Sequence, residues 1–577
     1  MRVKYNEANR IIKIRKLTQI NKKSFYFMVA LFIISSILDI VGISLIALFI
    51  KIILAFDQFI LQTKNQITFF EKINNLEFQI VISFSLLMFY LLKFLLVFNI
   101  NRKVINYCHT TQFLLASKLY NNMLNIDIKL RKEDTAANYV QSIQILTDSF
   151  SKQVLLPIFR ILSDGLIVLS LAIFLAFQNF LAFTFILLLT VSLGYIYDKS
   201  VRGLQREQGA ISNDSRQKII RNIVESFTGL LEIRIFGREL FFREKIKVEL
   251  NRFRDSSALG LILATSPKFA VELVLMCYLL GVLILLNATE NTHVEMLSIF
   301  GVYAFAAMRI VPLSNSILSS ISELRLRADT VDRLYSELNS ISNSEYDVSI
   351  GNTHNVNSKD EFSSLEFKSV SFHYPGENRI LDNVNLKILR GELVALLGES
   401  GSGKSTFMSI IMGLLQPTSG KILINSQDVD VKKYFTDLCS YAPQVPFAIE
   451  GSVFENISLN NYQKIKHQKA EESLISSGFA KEVDERLLQY LISSGGSNLS
   501  GGQLQRLALA RALFFDREIL LLDEMTSSLD EDTEKAVFEN IKRLKGQKTI
   551  VIATHNTKEI KDFDKVFIFK DGKVTQR

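Results

Sequence analysis

The run Gly398-Glu399-Ser400-Gly401-Ser402-Gly403-Lys404-Ser405-Thr406 places three glycines, a lysine and several hydroxyls within nine positions. Glycines at this density let a backbone curl until its N–H groups converge, and phosphate oxygens are the acceptors such a curl fits. An apolar stretch, Leu393 to Leu397, precedes the run and a helical stretch, Phe407 to Leu415, follows it. That strand–loop–helix order puts the loop at a helix N-terminus, whose partial positive charge also favours phosphate. In such a loop Gly398, Ser400, Gly401, Gly403 and Thr406 form a cradle, Lys404 reaches the β- and γ-phosphates, and Ser405 ligates Mg2+. A second apolar stretch, Ile519-Leu520-Leu521-Leu522, ends in Asp523-Glu524. Asp523 is expected to hold Mg2+ through water, and Glu524 to orient and activate the attacking water. Two adjacent carboxylates could equally be a solvated turn, but a phosphate loop upstream makes that reading poor.

Between these stretches lies Leu499-Ser500-Gly501-Gly502-Gln503. With it the chain resembles the ABC ATPase family, whose signature sequence this is. The resemblance extends over the whole chain and implies further roles. Tyr374, in Phe372-His373-Tyr374, is similar to the aromatic that stacks on adenine. Gln444, after Ala442-Pro443, resembles the glutamine that senses the metal and contacts the transport domain. Ser528-Leu529-Asp530 resembles the D-loop, and His555, after Thr554, the histidine that contacts the γ-phosphate. The family pairs two such domains, so Ser500, Gly502 and Gln503 of one subunit would complete the ATP site around Lys404 of another. A homodimer follows, with a heteromeric partner as the alternative. ATP and Mg2+ are the implied cofactors. The match has departures: Met525 and Ser528 change packing, Asn556 follows His555, and Ser493-Ser494-Gly495-Gly496 stands where an acidic stretch is common.

The rest of the chain must position and use this site. Of the 577 residues, 48% are hydrophobic, and the apolar runs gather in the first ~320, as in membrane chains. Six runs, at 25–53, 80–99, 154–177, 180–198, 257–287 and 294–320, are each long enough to cross a bilayer. The formal charge of +8 could point to nucleic acid, but Arg2, Lys4, Arg10, Lys13, Arg15, Lys16, Lys22 and Lys23 all precede the first run. That is the flank of a membrane helix, and the expectation is no nucleic-acid partner. The first run is too long for a cleavable signal and lacks a small-residue cleavage site. Segments 100–153 and 199–256 are long, charged and basic, whereas 287–295 carries no Lys or Arg. Both termini and both long segments are therefore expected on the cytoplasmic side of a bacterial cytoplasmic membrane; the family resemblance, by loop order, implies joints to the ATPase near 125–142 and 222–240. The expected architecture is an α-helical transmembrane domain, 1–338, a polar linker, 339–362, and an α/β ATPase domain with a helical subdomain, 363–577. Cys108, Cys277 and Cys439 form no CxxC pair and are expected to be free thiols.

Charges inside apolar runs are costly and mark candidate substrate contacts. Asp39, Lys268 and Arg309 are the candidates, and the i,i+4 pairs Arg160/Asp164 and Lys268/Glu272 could neutralise internally. Structural ion pairing or snorkelling is an equally good reading. Pro267-Lys268-Phe269-Ala270-Val271-Glu272, Arg309-Ile310-Val311-Pro312, Asp39 before Gly42-Ile43, and Gly495-Gly496-Ser497-Asn498 resemble one exporter branch. That branch includes lipid-linked oligosaccharide flippases, and it implies an amphiphile with a pyrophosphate-sugar head as substrate and membrane lipid as surroundings. A general lipid or drug exporter is the alternative. A non-pumping channel or regulator is a third reading, disfavoured because Glu524 and His555 are both present.

Overall fold

The computed structural model describes residues 2–18, 22–54, 75–124, 136–178, 180–266, 293–342, 362–374, 379–428, 438–460, 467–524, 531–555 and 560–577, with scattered positions between 267 and 292. The chain divides into two compact units, one ending at Asp347 and one running from Val348 to Arg577.

The N-terminal unit is helical. A basic helix, α1 (Arg2–Leu17), precedes α2 (Lys22–Leu54) and the 50-residue α3 (Asn75–Leu124). Residues 136–178 then pass through two π-helical stretches, Gln141–Leu146 and Ser151–Leu155, before the regular helix α4 (Leu156–Gln178). There follow α5 (Phe180–Thr228), a short α6 (Leu230–Ile235), α7 (Glu239–Thr265), α8 (His293–Leu326) and α9 (Ala328–Ser342). Among the described residues, three helical stretches have the length and hydropathy to cross a membrane: Ser24–Ile46, Gln79–Leu124 and Asn138–Phe177. At 1.5 Å per residue, α3 and α5 are each roughly 75 Å long, more than twice a ~30 Å hydrocarbon core, so both continue well past their apolar segments. In α3, Phe84, Leu87, Met88, Leu91, Leu92 and Phe94 are all exposed. Apolar area so continuous is suited to lipid rather than water.

Packing inside this unit is specific. Phe150, Leu115, Leu119 and Leu334 are buried together with Leu17. Asp332 of α9 accepts from Arg10 Nε at 2.8 Å and from Lys13 Nζ at 2.5 Å, tying α1 to α9. Helix α9 reaches Ser342, past the point at 339 where the sequence turns polar. Polar residues suit a last helical turn whose carbonyls need other partners.

The C-terminal unit is α/β. Its strands are β1 (Ser364–His373), β2 (Arg379–Leu389), β3 (Leu393–Leu397), β4 (Ser419–Ile424), β5 (Gln427–Asp428), β6 (Cys439–Ala442), β7 (Gly451–Ser452), β8 (Leu491–Ile492), β9 (Ile519–Asp523), β10 (Thr549–Thr554), β11 (Lys565–Lys570) and β12 (Lys573–Gln576). One sheet runs β2-β1-β4-β5 and a second runs β12-β11-β3-β10-β9-β6. In the second, β11, β3, β10, β9 and β6 are mutually parallel. All side chains of β3 and β9 are buried, as expected of strands covered on both faces. Helix α10 (Lys404–Ile411) packs Phe407 between Phe367 and Phe569, with ring centroids at 4.8 and 5.4 Å. It ends four residues before Leu415, because Gly413 takes a left-handed φ of 56° and stops the helix. A separate helical core, with Phe454, Leu474, Leu488, Leu507 and Phe514, is built from α11 (Val453–Ser458), α12 (His467–Ser476), α13 (Glu485–Gln489) and α14 (Gly501–Phe515). Helix α15 (Glu531–Lys542) contributes Val537 and Ile541 to the layer beside β9 and β10.

Candidate functional site

Four adjacent parallel strands deliver the site. In register, Leu397 pairs with Thr554, Ala553 with Asp523, and Ala442 with Leu522. Their carboxyl ends lie in a row, so the residues that follow β3, β9, β10 and β6 must cluster at one sheet edge. Those residues are Gly398 to Lys404, Asp523-Glu524, His555 and Gln444.

The loop after β3 has the backbone freedom its glycines allow. Gly401 and Gly403 take φ of 84° and 100°, a region that side chains disfavour. A Cβ at Gly398 would lie 2.5 Å from Ser402 Oγ and 2.6 Å from the Phe569 carbonyl, so only glycine fits there. Lys404 opens α10 and is 5% exposed; its Nζ donates to the carbonyls of Gly398 (2.6 Å) and Glu399 (3.0 Å). It also lies 3.9 Å from Glu524 Oε1. The Lys404 ammonium is therefore held at the loop rather than reaching into solvent. Ser400, Gly401 and Ser405 are exposed and Thr406 is half-buried.

Glu524 is the convergence point. Gln444 Nε2 donates to its Oε2 at 2.6 Å, and His555 Nδ1 lies 3.9 Å from its Oε1. Its backbone carries a left-handed φ of 46°, held by an N–H donated to the Ala553 carbonyl at 3.0 Å. A non-glycine residue in that region costs energy, and strain of this kind gathers where a side chain must be aimed. Asp523 is 4% exposed, accepts from the Ser405 hydroxyl, and accepts from Tyr441 Oη at 3.3 Å. Burial pushes the Asp523 carboxyl above the usual carboxylate range, with Glu524 adding to the rise and Ser405, Tyr441 and Lys404 opposing it. Burial likewise raises the Tyr441 phenol, reinforced by Asp523. A buried carboxylate beside a hydroxyl is the donor set a hard cation seeks, and cation binding would relieve that unfavourable burial. The residues fit Mg2+ with a nucleotide: Ser405 and Asp523 would hold the ion with Gln444 adjacent, and the ion would neutralise phosphate charge.

Ser500, Gly502 and Gln503 lie elsewhere in this unit, at the start of α14. Ser500 Oγ accepts from the Gln503 N–H at 3.2 Å, and the Ser500 N–H donates to Gln503 Oε1 at 2.8 Å. This reciprocal cap fixes an exposed helix N-terminus, a surface that favours anions. No hydrogen bond or ion pair found among the described residues joins it to the Lys404 cluster. Tyr374 packs edge-on against Phe372, with centroids 5.0 Å apart. Asp530, like the rest of Ser528-Leu529-Asp530, lies outside the described residues.

Two residues of this unit escape sequence reasoning. Tyr441 has no motif of its own. Arg511, inside an ordinary helical stretch, donates from Nε to the Asn456 carbonyl (2.7 Å) and from a terminal nitrogen to the Phe447 carbonyl (3.1 Å). Its guanidinium also lies 4.4 Å from the Phe447 ring centroid, and burial brings its pKa down to about 10. Arg511 thereby anchors the segment that leaves Gln444.

The N-terminal unit holds a second charge cluster. Asp39 of α2 is 1% exposed and accepts at Oδ1 from Lys93 Nζ of α3 (2.7 Å) and Arg309 Nε of α8 (3.0 Å). Lys93 is itself buried and sits 5.3 Å from the Tyr90 ring centroid. The Arg309 side chain stays 44% exposed. The structure therefore pairs Asp39 directly with Arg309 and adds Lys93 as a second cation on the same carboxylate oxygen. A lysine in the middle of an apolar run is the sequence signal that would have found it. Asp164 bonds Ser316, Arg160 is exposed, and Lys268 lies outside the described residues.

Comparison with known proteins adds identity to this geometry. The ABC transporter family model matches residues 381–527, which contain the phosphate loop, Gln444, the Ser500 cap and Asp523-Glu524. The chain belongs to the ABC transporter family. The heterocyst differentiation ATP-binding protein HepA of Nostoc sp. is 30% identical over 363 residues, covering 61% of this ABC transporter and 58% of HepA. The ATP-dependent lipid A-core flippase of Nitrosococcus oceani is 27% identical over 436 residues, 73% of this chain and 70% of that one. Several other relatives match over less than half their length; the lactococcin-G-processing and transport protein LagD matches over 50%. A solved bacterial Atm1-family ABC exporter with ATP bound superposes with a TM-score of 0.73 over 96% of both chains at 17% identity. At that identity the likeness establishes the exporter fold of this ABC transporter and no more.

Proposed function

We propose that this ABC transporter is an ATP-hydrolysing export or flipping subunit for an amphiphile, most closely a lipid-linked oligosaccharide or related glycolipid, in the bacterial cytoplasmic membrane. The observation that carries the reading is the convergence of Lys404, Gln444 and His555 on Glu524, beside Asp523 and Ser405. Glu524 is the base that orients water, Lys404 grips the terminal phosphates, and His555 contacts the γ-phosphate. The Ser500 cap on α14 is set apart from this cluster, which supports its use by a second subunit. The working form is a homodimer with both termini cytoplasmic, built from a transmembrane domain over 1–338, a linker over 339–362 and an ATPase domain over 363–577.

The amphiphile follows from the membrane unit. Two cations share the single carboxylate of Asp39, Asp164 lies within electrostatic reach of Arg309, and part of the Arg309 side chain stays exposed. Arginine in such a place suits a phosphate or pyrophosphate head. A lipid A-core type substrate is the second reading, supported by the relatives of that name. ATPase stimulation in liposomes tests the choice by comparing polyprenyl-pyrophosphate glycans, common phospholipids and hydrophobic drugs. The account expects several-fold stimulation by the first alone; stimulation confined to the drugs contradicts it.

A further inference from the structure

The N-terminal unit holds a cavity of about 400 Å3 away from the Asp39 cluster, where α5, α7 and α8 meet at the ends of their apolar segments. Its volume falls in the range of small-ligand sites. Its lining is polar in a particular way. Arg216 of α5 and Arg327, at the end of α8, both border it, and Glu323 is the one carboxylate among its lining residues. Ser256 and Ser257 of α7 supply hydroxyls, and Gln153 enters from the second π-helical stretch. The cavity is pinched where α5 and α8 approach, since a side chain at Gly209 would collide with the Leu326 carbonyl.

Two half-buried guanidiniums bordering one cavity need a reason. Arg327 donates to Asn213 Oδ1 at 3.2 Å, and Arg216 lies 5.4 Å from the Phe253 ring centroid. Burial holds the Arg327 pKa below its usual range, the like charge of Arg216 lowers it further, and Glu323 only partly offsets this. Burial raises the Glu323 carboxyl, with Arg160 and Arg327 opposing the rise, so this one carboxylate faces more than one arginine. The Gln153 carbonyl oxygen is buried and accepts no hydrogen bond among the described residues. A cavity with surplus positive charge, forked donors, hydroxyls and an unused acceptor is complementary to an anion carrying hydroxyl groups.

We propose that this cavity binds the phosphate-bearing polar head of a membrane amphiphile, with Arg216 and Arg327 as the anion clamp and Gln153, Ser256 and Ser257 as partners for its hydroxyls. The inference rests on the exporter reading above and adds the group it holds at the end of the helices far from the Asp39 cluster. Arginine forks bind phosphate in two-point geometry, so lysine is a poor substitute.

Full-length protein in nanodiscs, without nucleotide, tests this by ligand-induced shifts of thermal unfolding. The probes are dodecyl phosphate, dodecyl maltoside and inorganic phosphate. Dodecyl phosphate is expected to stabilise the wild type at concentrations at least tenfold below either of the others. Arg216→Gln and Arg327→Gln are each expected to weaken that binding at least tenfold, with Arg327→Lys recovering part of it. Equal stabilisation by dodecyl maltoside overturns the anion clamp, and equal affinity for inorganic phosphate overturns the amphiphile as its source. These wild-type comparisons decide the matter even if a variant misfolds. Flipping of the phosphate amphiphile in vesicles separates the two claims. Arginine-dependent binding without flipping sinks the exporter reading and leaves the site. Flipping with binding unchanged in both glutamine variants sinks the site and leaves the exporter.

Discussion

The two charge clusters of this ABC transporter are built on opposite plans. Around Glu524, the charged groups come from the ends of adjacent parallel strands, and His555, 67% exposed, and the exposed Ser405 stay open to solvent. Around Asp39, they come from three helices, separated by 54 and 270 residues, and two of the three members are buried. The first cluster is arranged to receive ligands and release them. The second sits in apolar surroundings where a lone charge costs several kcal/mol, so its members hold one another. The first cluster lies open to solvent, whereas Asp39 and Lys93 join their helices in buried positions and only Arg309 of that cluster stays partly exposed.

The largest effect is expected at the first cluster. Glu524→Gln keeps the hydrogen-bonding shape but removes the carboxylate proposed as base, and should cut ATP turnover at least ~100-fold while ATP binding survives. Turnover by phosphate release and retention of labelled ATP read the two separately. Wild-type turnover would remove Glu524 from the chemistry and erase the contrast.

The second cluster should answer in stability. Asp39→Ala strands Lys93 and Arg309 together and is expected to cost about 3–5 kcal/mol, the range for removing one partner of a buried pair. Lys93→Met leaves Asp39 paired with Arg309 and should cost less. Thermal unfolding in nanodiscs, with ATP turnover of the detergent-solubilised ATPase as control, gives the order. A smaller loss for Asp39→Ala than for Lys93→Met would contradict the shared-carboxylate geometry.

The two clusters also differ in how far they could be read in advance. Gly398 to Thr406 and Asp523-Glu524 are contiguous, and their roles follow from local order, a strand, a turn and a helix start. Asp39 and Arg309 stand out singly as charges in apolar runs, but their pairing, and the arrival of Lys93 on the same carboxylate, depends on which faces of α2, α3 and α8 meet. That is a packing outcome with no local signature. Tyr441 and Arg511 were missed for the same reason, since each acts on a neighbour distant in the chain. The long helices were legible from the apolar runs and charged extensions. The early end of α10 at Ile411 was not, because Gly413 outweighs the apolar pattern that continues to Leu415.

The smallest effect concerns acid stability of the ATPase unit. Burial pushes the Asp564 carboxyl upward, but the N–H of Leu393, donated at 2.8 Å, and Lys545, at 2.6 Å, outweigh it and hold the pKa below the usual range. A depressed folded-state pKa contributes stability above the unfolded value near ~3.9 that is lost as pH falls through the folded one. Asp564→Asn should therefore cost about 1 kcal/mol at neutral pH and converge with the wild type as pH falls through the depressed folded-state pKa. Unfolding curves at pH 7 and at successively lower pH check this; a gap that does not narrow as the pH falls would assign the effect to packing.

ATP-dependent flipping in sealed vesicles is the most direct measurement. A fluorescent polyprenyl-pyrophosphate disaccharide is incorporated with the protein, and label in the outer leaflet is quenched at intervals. The wild type should move the probe only with Mg-ATP, and Glu524→Gln should leave it at the protein-free rate. Movement at the wild-type rate by that variant, or by the wild type without ATP, would contradict coupling of hydrolysis at Glu524 to passage of the lipid.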